Sequence, residues 1–168
     1  MMDDVERRKE VFAWFGGAAY RAQCFEVELQ SLLLLTYRLN HPSAPVSELD
    51  DVDMRLSSKN LGGLLRELGK HFTVHPEVSD LLNTYRDKRN YLMHRFFFDN
   101  ARKLLSPPGC DAMVDELKDL SRVFQEADAI AREMSKRLRA LVGWSEEEIE
   151  ALVRAEIRKD ADCDGQVT

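Results

Sequence analysis

The chain has 168 residues, 44% of them hydrophobic and 32% charged, and carries a net charge of −6. Such a length suits one domain with a short appendage, and the composition suits a helix-rich protein with an ample core. The acidic balance excludes a non-specific polyanion binder, so any contact with nucleic acid has to come from a local basic patch.

The N-terminal stretch Met1–Lys9 is charged and no apolar signal region follows it. The leucine run Leu32–Leu35 is far too short to span a membrane. Cys24, Cys110 and Cys163 are odd in number and scattered, which is no disulfide framework and points to a reducing, cytoplasmic setting.

Residues 3 to about 39 read as one long helix, with Phe12, Phe15, Ala19, Ala22, Leu29 and Leu33 recurring at three- and four-residue steps. Gly16-Gly17 would loosen its first turns, so it is expected to begin later or to bend. Glu26 falls within the apolar seam. Either it lies at the edge and reaches water, or it meets a buried arginine from another helix. His41-Pro42-Ser43-Ala44-Pro45 ends the helix, and the acidic residues 46–58 read as loop with at most one helical turn.

A second helix is expected from about Lys59 to Phe72, with Leu61, Leu64, Leu65 and Leu68 as its face. Gly62, Gly63 and Gly69 weaken it but would let another helix approach closely. His71 and His75 are four apart, yet Pro76 disfavours helix at His75 and no third ligand is evident, so no metal site is assigned.

A third helix is expected from Pro76 to about Asn100. A fourth follows the breaker Ser106-Pro107-Pro108-Gly109, over residues 110–142. Its apolar positions, Met113, Leu117, Leu120, Phe124, Ala127, Ala131, Met134, Leu138 and Leu141, form a heptad seam, which implies near-antiparallel packing. Gly143 ends this helix, and Ser145 with Glu148 forms a capping box for a last short one. No segment alternates as a strand. The fold class read from this pattern is all-α: an up-and-down bundle of four principal helices over 1–142, plus a C-terminal helix and polar tail over 143–168. In that tail, Asp160-Ala161-Asp162-Cys163-Asp164-Gly165 copies the first half of a calcium-binding EF-hand loop, but no glutamate follows at the twelfth loop position.

The chemistry concentrates in residues 86–98. From Arg86 to Lys103 six basic residues face only Asp87 and Asp99. Arg89, Asn90 and His94 supply a permanent cation, an amide and an imidazole, side-chain types suited to phosphate chemistry. On an ideal helix Arg89 lies within the apolar stripe Val78, Leu82, Tyr85, Leu92 and Phe96, with Asn90 about 100° and His94 about 140° around from it. A shared site therefore demands a bent arginine, a distorted helix or a second protomer. Phe96, Phe97 and Phe98 read as core rather than as a base-stacking platform.

Arg89-Asn90-x-x-x-His94 resembles the R-x4–6-H signature of the HEPN superfamily, in which a polar residue commonly follows the arginine. The resemblance covers most of residues 10–142 as architecture and this motif alone as sequence. It implies an all-α homodimer with the motif on its third long helix, and a metal-independent endoribonuclease without cofactor. It also implies a setting as the toxin of a toxin–antitoxin pair or in phage defence, with an antitoxin protein encoded nearby. Carried onto this chain, His94 acts as general base or acid, Arg89 stabilises phosphoryl charge, and Asn90 orients the histidine or ribose. Arg86, Lys88, Arg95 and Arg102 are the matching candidates for guiding the RNA backbone. Some HEPN-like domains are instead non-catalytic binding or regulatory modules. Where certain HEPN toxins carry R-x4-H-x-Y, with a tyrosine that is modified, this chain has Phe96. Restraint by that route is not expected.

Overall fold

A computed structural model of the protein describes residues 4–141. Among these residues the chain is all-α, with no strand. Six α-helices follow in order: α1 Asp4–Asn40, α2 Val46–Ser57, α3 Leu61–His71, α4 Pro76–His94, α5 Phe96–Asp99 and α6 Pro107–Leu141, with a 3-10 turn at Lys103–Leu105 before α6. The expected C-terminal helix and the half calcium loop lie outside the described residues. No helix among those described is long and apolar enough to cross a membrane.

Helices α1 and α6 form the most extensive pairing. Arg7 meets Asp111, the Lys118 ammonium lies 5.6 Å over Trp14, Arg21 faces Gln125, and Arg139 reaches Glu28 at 3.5 Å. Partner numbers rise together along both helices, so the two run parallel. The first three pairs repeat every seven residues, which is the spacing that keeps flanking side chains beside one seam. Tyr85 stacks edge-on against Phe124, and Tyr91 bonds Glu116, so α4 runs antiparallel to α6.

Four helices alternating up and down would oppose the first and last, whereas here the first and last are parallel. The reason is α2. The acidic stretch 46–58, expected to be loop, is a helix that buries Val52 and Leu56. It carries the chain back before α3 starts. Its three- and four-residue apolar spacing, Leu49, Val52 and Leu56, is masked by three intervening carboxylates, Asp50, Asp51 and Asp53. Tertiary contacts secure it: the Tyr37 hydroxyl donates to Glu48, and Arg38 Nη1 donates to the Ala44 carbonyl at 2.6 Å. The Glu48 carboxylate and burial hold the Tyr37 phenol above its usual value.

The seam of α6 is as expected as far as Ala131, with Met113, Leu117, Leu120, Phe124, Ala127 and Ala131 buried. Beyond it Met134 and Leu138 are half-buried, and Leu141, expected in the seam, is exposed because it is the last residue of α6. The seam of α1 is rotated in its first half. Val11, Ala18, Ala22, Phe25, Leu29, Leu32 and Leu33 are buried, while Phe12 stands 53% exposed. Helix α1 is continuous through Gly16-Gly17, which lie exposed with open space where a Cβ would be. Gly109 is required for a different reason: a Cβ there would strike the Lys103 backbone as the turn folds back on α6.

Helix α3 is capped by Asn60, whose Oδ1 accepts from the Gly63 amide at 2.9 Å. His71 ends α3 and His75 precedes α4, with extended backbone at Phe72 between them, so the two histidines do not share a helix face. Helix α4 starts on Pro76, whose missing N–H costs nothing at the first turn.

Candidate functional site

The segment that carries the chemistry is not one helix to Asn100. Helix α4 stops at His94, Arg95 takes φ −126° and ψ −26°, and the short α5 resumes at Phe96. The cause is tertiary. Phe96 is wholly buried, against Phe15 at 5.9 Å and Tyr91 at 6.1 Å between ring centroids. Asn100 Nδ2 donates both to the Phe96 carbonyl and to the Tyr91 hydroxyl, each at 3.0 Å, and the Tyr91 hydroxyl donates to Glu116 Oε1 at 2.6 Å. Burial and the Glu116 carboxylate push the Tyr91 phenol up to about 12. The break leaves His94 exposed on the last turn of α4.

Arg89 is paired with Glu26. Its Nε donates to Glu26 Oε1 at 2.7 Å and its Nη2 to Oε2 at 3.5 Å, with side chains 22% and 17% exposed respectively. Of the two readings of Glu26, the pairing with an arginine from another helix is the one observed. One turn earlier, the Tyr85 hydroxyl donates to the Ala22 carbonyl at 2.8 Å. Burial drives this phenol far above its usual value, and the Glu26 carboxylate adds to the effect. A polar cluster is thus built into the α1–α4 contact beside the ring pair Phe25–Tyr85.

The third arm of the Arg89 guanidinium turns outward. Nη1 lies 3.4 Å from Asn90 Oδ1. Arg89 therefore bridges the inner stripe and the exposed flank that carries Asn90 and His94. The arginine bends as far as Asn90, but no hydrogen bond joins it to His94 among the described residues, and the helix breaks one residue after His94. His94 makes no hydrogen bond or ion pair with another described residue, and its imidazole is exposed to solvent.

The four candidate guiding cations do not form one patch. Arg86 lies about 60° from Arg89 on the wheel, toward Asn90, whereas Lys88 lies about 100° the other way. Arg86 is held by Asp87 at 2.9 Å. Arg95 is held by Asp99 at 2.9 Å and lies 5.5 Å over the Phe98 ring. Arg102 is exposed in the turn before Lys103. The core reading holds for Phe96 and for the half-buried Phe97, but Phe98 is 79% exposed. No phenylalanine pattern in one strand of sequence could foretell that division, because it follows from the break at Arg95.

Sequence reasoning also missed a cleft of about 670 Å³ between α3 and α4, whose lining includes Gly62, Gly69, Arg66, Lys70, Asn83 and Arg86. The signal was present. Gly62 and Gly69 are seven apart and share one face of α3, but they leave open volume there rather than admitting a close helix.

Compared with protein-family models, curated proteins and solved structures, the chain matches none.

Proposed function

We propose that this protein is a metal-independent endoribonuclease of HEPN type, with Arg89, Asn90 and His94 as its catalytic residues. The observation that supports this reading is the Arg89 guanidinium, anchored on Glu26 and extended to Asn90 on the flank that bears the exposed, unengaged His94. A guanidinium fixed at one edge keeps N–H donors for a phosphoryl oxygen without first losing side-chain freedom. His94 takes the proton of a ribose 2′-hydroxyl. The 2′-oxygen then bonds to phosphorus and the bond to the 5′-oxygen breaks, that oxygen being protonated by an imidazolium. The products are a 2′,3′-cyclic phosphate end and a 5′-hydroxyl end. A homodimer in the cytoplasm would supply the second imidazole across a shared cleft. The biological setting in this reading is a toxin–antitoxin pair or phage defence, with an antitoxin protein as partner. Arg86 guides the RNA from the His94 flank, and Lys88, Arg95 and Arg102 act on the outer side.

The second reading is a non-catalytic HEPN-like binding or regulatory module. It is favoured by the Glu26 pairing, which gives Arg89 a structural role of its own. The test is incubation with RNA in excess chelator, beside His94→Ala and Asn90→Ala. Both side chains are exposed, so the fold should survive, as circular dichroism would verify. Cleavage by wild type, lost in His94→Ala, with cyclic phosphate ends, is the expected result. Intact RNA with wild type would remove the enzyme reading for that substrate, and equal cleavage by His94→Ala would place the activity elsewhere.

A further inference from the structure

We infer that the cleft between α3 and α4 is a nucleotide-binding subsite, taking one base and its phosphate from a single-stranded RNA whose backbone continues along α4 to His94. The choice of RNA as the polymer rests on the ribonuclease reading, while the nucleotide chemistry rests on the cleft itself.

The cleft's volume of about 670 Å³ lies within the range of small-ligand sites, about 300–1,000 Å³. Its lining includes Leu68, Phe72 and Leu82, of which the half-buried Phe72 offers the apolar surface that a base could cover. Its rim is cationic. Arg66, Lys70 and Arg86 line it, and Lys59 stands 3.7 Å from Glu67 beside it. Against these four cations stand two carboxylates: Glu67, shared among Lys70, Lys59 and the cleft-lining His71, and Asp87, on Arg86. Arg66 makes no ion pair or hydrogen bond with another described residue. Asn83 likewise spends neither its amide donors nor its acceptor, and it offers the edge-reading chemistry that a base requires.

The cleft and the proposed catalytic flank lie along one side of α4. Ser79, Asn83, Arg86 and Asn90 fall within about 60° of one another on α4, with His94 about 20° beyond that arc. From Arg86 to His94 the helix rises about 12 Å. Arg86 is the joint between the two, lining the cleft while belonging to the basic stretch that leads to His94.

The probe is adenosine monophosphate, titrated by calorimetry into wild type, Arg66→Ala/Lys70→Ala and Gly69→Leu. At Gly69 an added Cβ meets nothing within 4 Å, and leucine is the better helix former, so this variant fills the cleft without unfolding α3. Saturable binding by wild type, weakened about tenfold or more in both variants, is expected, with inorganic phosphate and adenosine each binding at least tenfold more weakly than the nucleotide. Absence of saturable binding, or equal binding by Gly69→Leu, overturns the subsite. A second arm uses single-stranded RNA. Both variants should raise KM about tenfold with kcat unchanged. The double variant should also flatten the salt dependence of RNA affinity by about 1.4 in log–log slope, two phosphate contacts at about 0.7 each. Wild-type cleavage with an unaltered KM in Gly69→Leu would overturn the subsite and leave the ribonuclease reading standing. Nucleotide binding lost in the variants, with no RNA cleaved by wild type, would overturn the ribonuclease and leave the subsite standing.

Discussion

Replacing Glu26 by alanine is the most direct test of how the central helix is held. The substitution removes the carboxylate that bonds Arg89 at 2.7 and 3.5 Å and leaves the guanidinium in a contact that is about one-fifth exposed. Breaking a fully buried pair costs about 3–5 kcal/mol, and an exposed pair is worth about 0–1 kcal/mol. Here the arginine keeps Asn90 and some water as alternatives, so the expected loss falls between these limits, at about 2 kcal/mol. For a chain of this size that corresponds to a fall in Tm of about 4–8 °C. Urea denaturation of wild type, Glu26→Ala, Arg89→Met and the double variant measures it as a cycle. A coupling of at least about 1 kcal/mol is expected, and Glu26→Leu/Arg89→Met should recover most of the loss, because an apolar pair of similar volume needs no desolvation. A Glu26→Ala protein within about 0.5 kcal/mol of wild type would refute the reasoning, since that is the range of featureless surface sites.

Other outcomes follow from the same contacts. Tyr91→Phe leaves Asn100 and Glu116 each short of a bond and should cost about 1–2 kcal/mol in urea denaturation at pH 7. The folded-state Tyr91 phenol is raised from 10.0 to about 12, so its contribution is complete below pH 10 and lost as pH climbs toward 12. The stability gap between wild type and Tyr91→Phe should narrow across that window. Glu67 is lowered from 4.5, chiefly by its bond from Lys70, so its contribution is present above pH 4.5 and lost as pH falls below it. Acid titration of Glu67→Gln should show a shallower decline there than wild type. Gly16→Ala/Gly17→Ala should raise stability by about 1–2 kcal/mol, read as a higher urea midpoint, because both sites are helical, exposed and open where the methyls would go.

Much of the fold was legible because helix periodicity is a local property. The seam of α6 and the start of α4 at Pro76 needed no partner to be read. Legibility failed where a partner decides. Helix α2 looked like loop because its four carboxylates interrupt a sparse apolar spacing, and only burial of Val52 and Leu56 shows that two or three anchors suffice. That one helix also reverses the chain once more and sets α1 parallel to α6. Phe12 was assigned to the core because its spacing to Phe15 is right; a rotation of α1, which no single helix can reveal, put Val11 there instead.

By itself the sequence determined the helical class, the basic stretch 86–103, and the conflict between an arginine in an apolar stripe and a histidine on another flank. These depend only on residue type and on 3.6 residues per turn. Tertiary structure decided how that conflict resolves. Glu26, 63 positions away along the chain, anchors one edge of Arg89, and Asn90 draws another arm outward. Burial of Phe96, with the Tyr91–Asn100–Glu116 bonds, breaks the helix just past His94. Non-local burial and long-range bonds outweigh local propensity at those few residues, and that is where the candidate site lies.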